Sequence, residues 1–186
     1  MNYFISGGCK NGKSFHAQRI AKEMAEKTGK PLYYLATMEP HDAEDDARIA
    51  RHIADRDGWG FTTIERPTDI CGIFPDHSAS EHQSAVPDPN GVFLLDSVTA
   101  LLSNEMFRSD GSVDLEAPAR VAAELTRFVE MTGSTVFVSD YIYSDAHLYD
   151  DLTESYRKGL AQCDRALAAA CDKVLEVAYT NITEFK

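Results

Sequence analysis

The segment Gly7-Gly8-Cys9-Lys10-Asn11-Gly12-Lys13-Ser14 constrains this chain more than any other. It has the form G-x-x-x-x-G-K-[ST], follows the short apolar run Tyr3 to Ser6, and opens an amphipathic helix expected from about Lys13 to Lys27. Glycines let successive backbone N–H groups curl around phosphate oxygens, and the helix N-terminus behind them adds the positive end of its dipole. Lys13 is then expected to reach the β- and γ-phosphates of a nucleotide, and the Ser14 hydroxyl to hold Mg²⁺. Gly7, Gly8, Cys9, Lys10, Asn11, Gly12, Lys13 and Ser14 are therefore candidate nucleotide-binding residues. A plain Gly-rich turn would require neither the strand before it nor the helix after it.

Beyond this cradle, apolar runs alternate with helical patterns almost to the end of the chain. Leu32–Ala36, Val92–Asp96, Thr135–Ser139 and Val174–Val177 read as buried strands, and Phe61–Glu65 as a weaker one. Helices are expected at Asp42 to about Arg56, after Asp96 (Val98, Leu101, Leu102, Met106), around Val121–Val129, and along the stripe Leu152, Tyr156, Leu160, Cys163, Leu167, Ala170. Gly29 and Gly133 are expected helix ends. Residues 75–90, rich in Pro, Ser and His, read as a surface loop inserted between strong elements. The fold class is therefore α/β: one domain over residues 1–186, with a mostly parallel sheet and helices on both faces, and ligands beyond the carboxyl ends of the strands.

Asp96 ends an apolar strand, where a second magnesium-directed carboxylate belongs in a fold of this kind. It could equally cap the following helix, and the cradle favours the metal role. The charge balance, 18 Lys plus Arg against 30 Asp plus Glu for a net −12, excludes a general nucleic-acid-coating role, which needs a clustered basic face. No apolar run approaches the ~20 residues of a membrane span. The N-terminus lacks the pattern of a signal peptide. The four cysteines show neither C-x-x-C pairing nor zinc spacing and read as reduced thiols, so a cytoplasmic protein is expected.

From Leu35 onward the chain resembles a known family. Leu35-Ala36-Thr37, Asp42 and Glu44, Ala47-Arg48-Ile49-Ala50-Arg51-His52, Arg56 and Thr63-Ile64-Glu65-Arg66-Pro67 carry the resemblance. So do Leu94-Leu95-Asp96-Ser97-Val98-Thr99, Asn104, Tyr156-Arg157, Arg165-Ala166-Leu167-Ala168-Ala169-Ala170 and Asp172-Lys173-Val174. These are similar to the bifunctional adenosylcobinamide kinase/adenosylcobinamide-phosphate guanylyltransferases of cobalamin assembly. The resemblance implies a P-loop NTPase-like domain that forms a homotrimer. It also implies a two-step reaction: GTP or ATP phosphorylates the hydroxyl of a corrinoid, and GMP then passes from GTP through a histidine to the corrinoid phosphate. His52 is by this resemblance the guanylylated nucleophile, catalytic together with Lys13. Thr37, Met38, Glu39, Arg56 and Glu65 are implied nucleotide contacts beside Asp96.

Chemically, a neutral imidazole is a competent nucleophile toward an α-phosphorus. The residues alone do not select His52 among the six histidines. His16 reads as structural or solvated, His41 precedes a helix, and His77 and His82 fall in the loop without metal-ligand spacing. The chain departs from the family where Asp140-Tyr141-Ile142-Tyr143 replaces Asn-Glu-Val-Gly, and where Lys158, Ala161 and Asp164-Arg165 replace Asp, Gly and Asn-Gln. Tyr141, Tyr143 and Tyr149 suit either stacking on a planar ligand or packing. Two alternatives stay open: a small-molecule kinase without the guanylyl transfer, and a GTP-binding regulatory module without turnover.

Overall fold

The computed structural model describes residues 1–40, 50, 53–54, 56–74, 86–143 and 145–186. Among these residues seven strands form one sheet: β1 (Tyr3–Gly7), β2 (Leu32–Ala36), β3 (Thr62–Glu65), β4 (Val92–Asp96), β5 (Thr135–Asp140), β6 (Lys173–Ala178) and β7 (Asn181–Glu184). Their order is β3-β2-β4-β5-β1-β6-β7, parallel throughout except for β7, which runs antiparallel to β6. β4 and β5 are buried along nearly their whole length, the signature of inner parallel strands covered on both faces.

The helices are α1 (Lys13–Thr28), α2 (Val98–Met106), α3 (Ala117–Thr132) and α4 (Asp151–Ala170). Among the described residues, α1 alone covers one face. Its small residues Ala17, Ala21 and Ala25 let it lie close over Ile5, Leu94, Val136 and Val177. The other face is thicker: Phe4, Leu35, Phe93, Leu95 and Phe137 meet Leu101, Leu102, Leu125, Phe128, Leu160 and Leu167 from α2, α3 and α4. Burying side chains of this size stabilises by roughly 1.5–3 kcal/mol each, before entropy is subtracted. α1 and α3 stop at Gly29 (φ 68°) and Gly133 (φ 65°), as the sequence leads one to expect. Asp150 starts α4 by accepting from the amides of Leu152 and Thr153, both at 3.0 Å. Among the described residues no helix is long and apolar enough to cross a membrane.

Two elements escape a reading of the sequence. Ile70–Ile73 forms a buried 3-10 turn, too short to show periodicity. β7 follows a tight turn at Tyr179 (φ 50°) and Thr180 (φ 66°), residues that carry none of the usual Gly/Asn turn chemistry. The expected helix from Asp42 to about Arg56, with His52 in it, and residues 75–85 of the expected loop lie largely or wholly outside the described residues. Residues 88–91 form a turn, closed by the Gly91 amide donating to Asp88 O at 2.9 Å.

Candidate active site

The cradle sits where β1 leaves the sheet and α1 begins. Gly7 is fixed there by crowding: a Cβ on it would stand 2.2 Å from Val177 O on β6. The chain then turns back through Lys10 (φ 58°) and Gly12 (φ 84°), left-handed positions that aim the loop into the first turn of α1. Gly12 stands at the N-cap position without any side-chain cap, which leaves the helix's first amides to another acceptor, such as a phosphate. Asn11 Nδ2 donates to Val177 O at 3.5 Å. Cys9, Lys10 and Gly12 are exposed, while Gly8, Asn11 and Ser14 are half-buried.

Lys13 is the most constrained residue of the site. Its side chain is 6% exposed. Nζ donates to Gly8 O and to Asp140 Oδ1, each at 2.8 Å. Asp140 ends β5, in register with Gly7 on β1, and its amide donates to Thr99 Oγ1 on α2 at 2.9 Å. The sequence singles out position 140 only as a departure from the family pattern. Its pairing with Lys13 arises because β5 lies between β1 and β4.

Asp96 ends β4, in register with Val138 on β5. The capping alternative for it is resolved: Ser97 is the N-cap of α2, its Oγ accepting from Ala100 N at 3.2 Å. The Asp96 carboxylate accepts from Tyr34 OH at 3.1 Å and makes no ion pair among the described residues. A carboxylate and a hydroxyl are the hard oxygen donors that Mg²⁺ prefers, so Asp96 and Ser14 fit that ion.

The remaining expected contacts divide. Thr37 is fully buried: its hydroxyl donates to Ser97 O at 2.8 Å and accepts from Ser97 N at 2.7 Å, clamping the ends of β2 and β4 together. Asn104 reinforces this clamp through Thr37 O at 2.7 Å and Pro67 O at 3.1 Å. The Arg56 guanidinium lies 3.9 Å over the Tyr34 ring and donates to Thr63 Oγ1 at 3.3 Å. Both side chains are thus engaged within the protein. Met38 is half-buried, and Glu39 and Glu65 are exposed. His52 lies outside the described residues. The tyrosines do not act as one cluster. Tyr141 and Tyr143 are neighbours with ring centroids 4.7 Å apart. Tyr149 instead bonds Asp145 at 2.8 Å and lies under Arg157.

The cobinamide kinase / cobinamide phosphate guanyltransferase family matches residues 3–180. The bifunctional adenosylcobalamin biosynthesis protein CobP of Pseudomonas aeruginosa is 25% identical over 178 residues, 94% of this chain and 91% of that protein. The bifunctional adenosylcobalamin biosynthesis protein CobU of Escherichia coli is 30% identical over 115 residues, 61% of this chain and 55% of that protein. Among solved structures, the KaiC-like protein PH0186 of Pyrococcus horikoshii aligns with a TM-score of 0.50 at 11% identity, over 100% of this chain and 78% of its own. The ATPase domain of G40P aligns with a TM-score of 0.51 at 10% identity, over 94% and 68%. The fold is thus that of the P-loop NTPases. With its cradle on β1 and α1, and with the family match running from β1 into the turn after β6, this chain belongs to the cobinamide kinase / cobinamide phosphate guanyltransferase family.

Proposed function

We propose that the chain phosphorylates the free hydroxyl of adenosylcobinamide and then transfers GMP to the resulting phosphate, giving adenosylcobinamide-GDP. In the first step the hydroxyl oxygen attacks the γ-phosphorus of GTP or ATP. The bond to the β-phosphate oxygen breaks, and the hydroxyl proton is released. In the second, an imidazole nitrogen of His52 attacks the α-phosphorus of GTP and pyrophosphate leaves. An oxygen of the corrinoid phosphate then attacks the same phosphorus and the N–P bond breaks, freeing the histidine.

The observation that carries this reading is Lys13, buried at the mouth of a cradle whose helix amides have no side-chain cap. Phosphoryl transfer asks a protein mainly for positioning and for charge that meets the phosphates. Lys13 supplies that charge by leaving Asp140 for the β- and γ-phosphate oxygens. The glycine-framed amides orient the chain of phosphates. Ser14 and Asp96 would hold Mg²⁺, which when bound neutralises phosphate charge.

Incubation with GTP labelled at the α-phosphate tests the transfer half. The label should become acid-labile and base-stable on the protein and disappear in His52→Ala. γ-Phosphate transfer to cobinamide tests the kinase half and should survive that substitution. Absence of label in the intact protein would remove the transfer step. The cytoplasm as the compartment and the homotrimer as the working assembly belong to this reading, the latter open to analytical ultracentrifugation.

A further inference from the structure

Three buried polar atoms without a hydrogen-bond partner among the described residues belong to one region beside the cradle: Ser6 Oγ, Ser139 Oγ and Asp164 Oδ1. Ser6 and Ser139 are register partners on β1 and β5, so their side chains leave the same face of the sheet. That is the face on which Phe4 and Phe137 pack toward α4. Asp164 faces them from α4 and is only 3% exposed. Its other oxygen accepts from Tyr143 OH at 3.0 Å. Burial pushes the Asp164 carboxyl up to about 6; the Tyr143 hydroxyl and the Ser139 hydroxyl beside it, the latter outside hydrogen-bonding geometry, pull it back, and the charge of Asp140 adds to the rise. With its carboxyl at about 6 the group is mostly ionised at neutral pH, and Oδ1 has no donor among the described residues.

Ser6 and Asp164 line a cavity of about 390 Å³ between α4 and the β1–β6 side of the sheet, walled by the rings of Phe4, Tyr141, Tyr143 and Phe185. Tyr141 and Phe185 are 45% and 67% exposed and form its open side. Arg165 and Glu176 contribute one charge of each sign. The cavity adjoins the phosphate site, because Ser6 directly precedes Gly7 and the Tyr141 amide donates to Gly7 O at 2.9 Å.

We propose that this cavity receives a primary carboxamide arm of the phosphate acceptor, Asp164 Oδ1 accepting an amide N–H and Ser6 Oγ donating to the amide carbonyl. A carboxamide carries both kinds of group and an apolar stem to lie on the rings. A carboxylate or phosphate arm would meet the charge of Asp164, and water alone would leave the aromatic walls uncovered. The inference rests on the proposed corrinoid acceptor, whose ring bears such arms. A cavity of this size takes an arm and leaves the ring outside, against Tyr141 and Phe185.

The test is equilibrium dialysis of the full chain with dicyanocobinamide, read at the corrinoid's own absorbance, with GTP binding measured alongside. Ser6→Ala and Asp164→Leu should each weaken cobinamide binding about ten-fold while leaving GTP binding intact, and Asp164→Asn, which keeps an acceptor, should stay within about three-fold. A corrinoid whose carboxamides are replaced by methyl esters should bind the unaltered chain about ten-fold more weakly, a comparison that needs no variant to fold. Cobinamide binding that is normal in both variants, or equal for amide and ester, would overturn the inference and assign water to the orphan atoms while leaving the corrinoid reading standing. GTP binding without any cobinamide binding would overturn both.

Discussion

Lys13 Nζ and Asp140 Oδ1 meet at 2.8 Å, so the cation that should grip a nucleotide is already neutralised by a carboxylate of the neighbouring strand. Nucleotide must take the lysine away from that partner, and Asp140 then stands close to incoming phosphate charge. Asp140→Asn removes a competitor and a negative charge together. It should tighten GTP binding by about five- to thirty-fold, in line with the ~1–2 kcal/mol of a charge-assisted contact. Lys13→Ala should abolish measurable binding. Calorimetric titration checks both, and weaker binding in Asp140→Asn would instead make Asp140 part of the nucleotide or metal site.

Gly7 has no room for a side chain. In Gly7→Ala the new methyl would meet Val177 O, and relief requires β1 and β6 to move apart beneath the cradle. The expected cost is about 1–3 kcal/mol by urea denaturation, together with weaker nucleotide binding.

Asp164 links stability to pH. Its carboxyl titrates near 6 in the folded chain against a reference of 3.8. Between those values the folded state holds more protons than the unfolded one, so stability falls as pH rises through the window and stays lowered above it. Asp164→Asn should therefore be more stable than the parent at pH 7.5, by up to about 3 kcal/mol at ~1.4 kcal/mol per pH unit. The advantage should shrink to nearly nothing by pH 4. Denaturation curves at several pH values check the trend, and an advantage independent of pH would contradict it.

Thiol chemistry offers a fourth measurement. Cys9, on the cradle, is exposed, while Cys71, Cys163 and Cys171 are buried. Burial pushes the Cys71 thiol up to about 11 and the Cys163 and Cys171 thiols up to about 12, where the reactive thiolate is scarce. A disulfide reagent should modify one cysteine quickly in the native protein and four after unfolding. GTP should slow the fast reaction.

Ser97 holds the first turn of α2. Ser97→Ala should destabilise the chain by about 1 kcal/mol, and Ser97→Asp by less. Comparison of thermal midpoints checks the order.

Much of this architecture was legible because parallel α/β folds write themselves plainly. Val92-Phe93-Leu94-Leu95-Asp96 is apolar along its length since both faces are covered, and Ala17, Ala21 and Ala25 recur at helical spacing under Gly29. The cradle was legible because its glycines answer to local geometry. What stayed hidden depends on strand order, which no local pattern encodes. The Lys13–Asp140 pair joins residues 127 apart and exists because β5 is inserted between β1 and β4. The clamp of Thr37 on Ser97 likewise needs β2 and β4 side by side. The Tyr179–Thr180 turn was illegible for the opposite reason: its sequence argues against its own geometry.

The two rims of the sheet, Thr62–Glu65 and Asn181–Glu184, are four residues each and largely exposed, with charged or hydroxyl side chains at most positions. So little unpaired backbone, flanked by carboxylates, is a poor template for a foreign strand. Copies of this chain that associate are therefore steered toward contacts through helices and loops, and the fold is guarded against open-ended stacking at either margin.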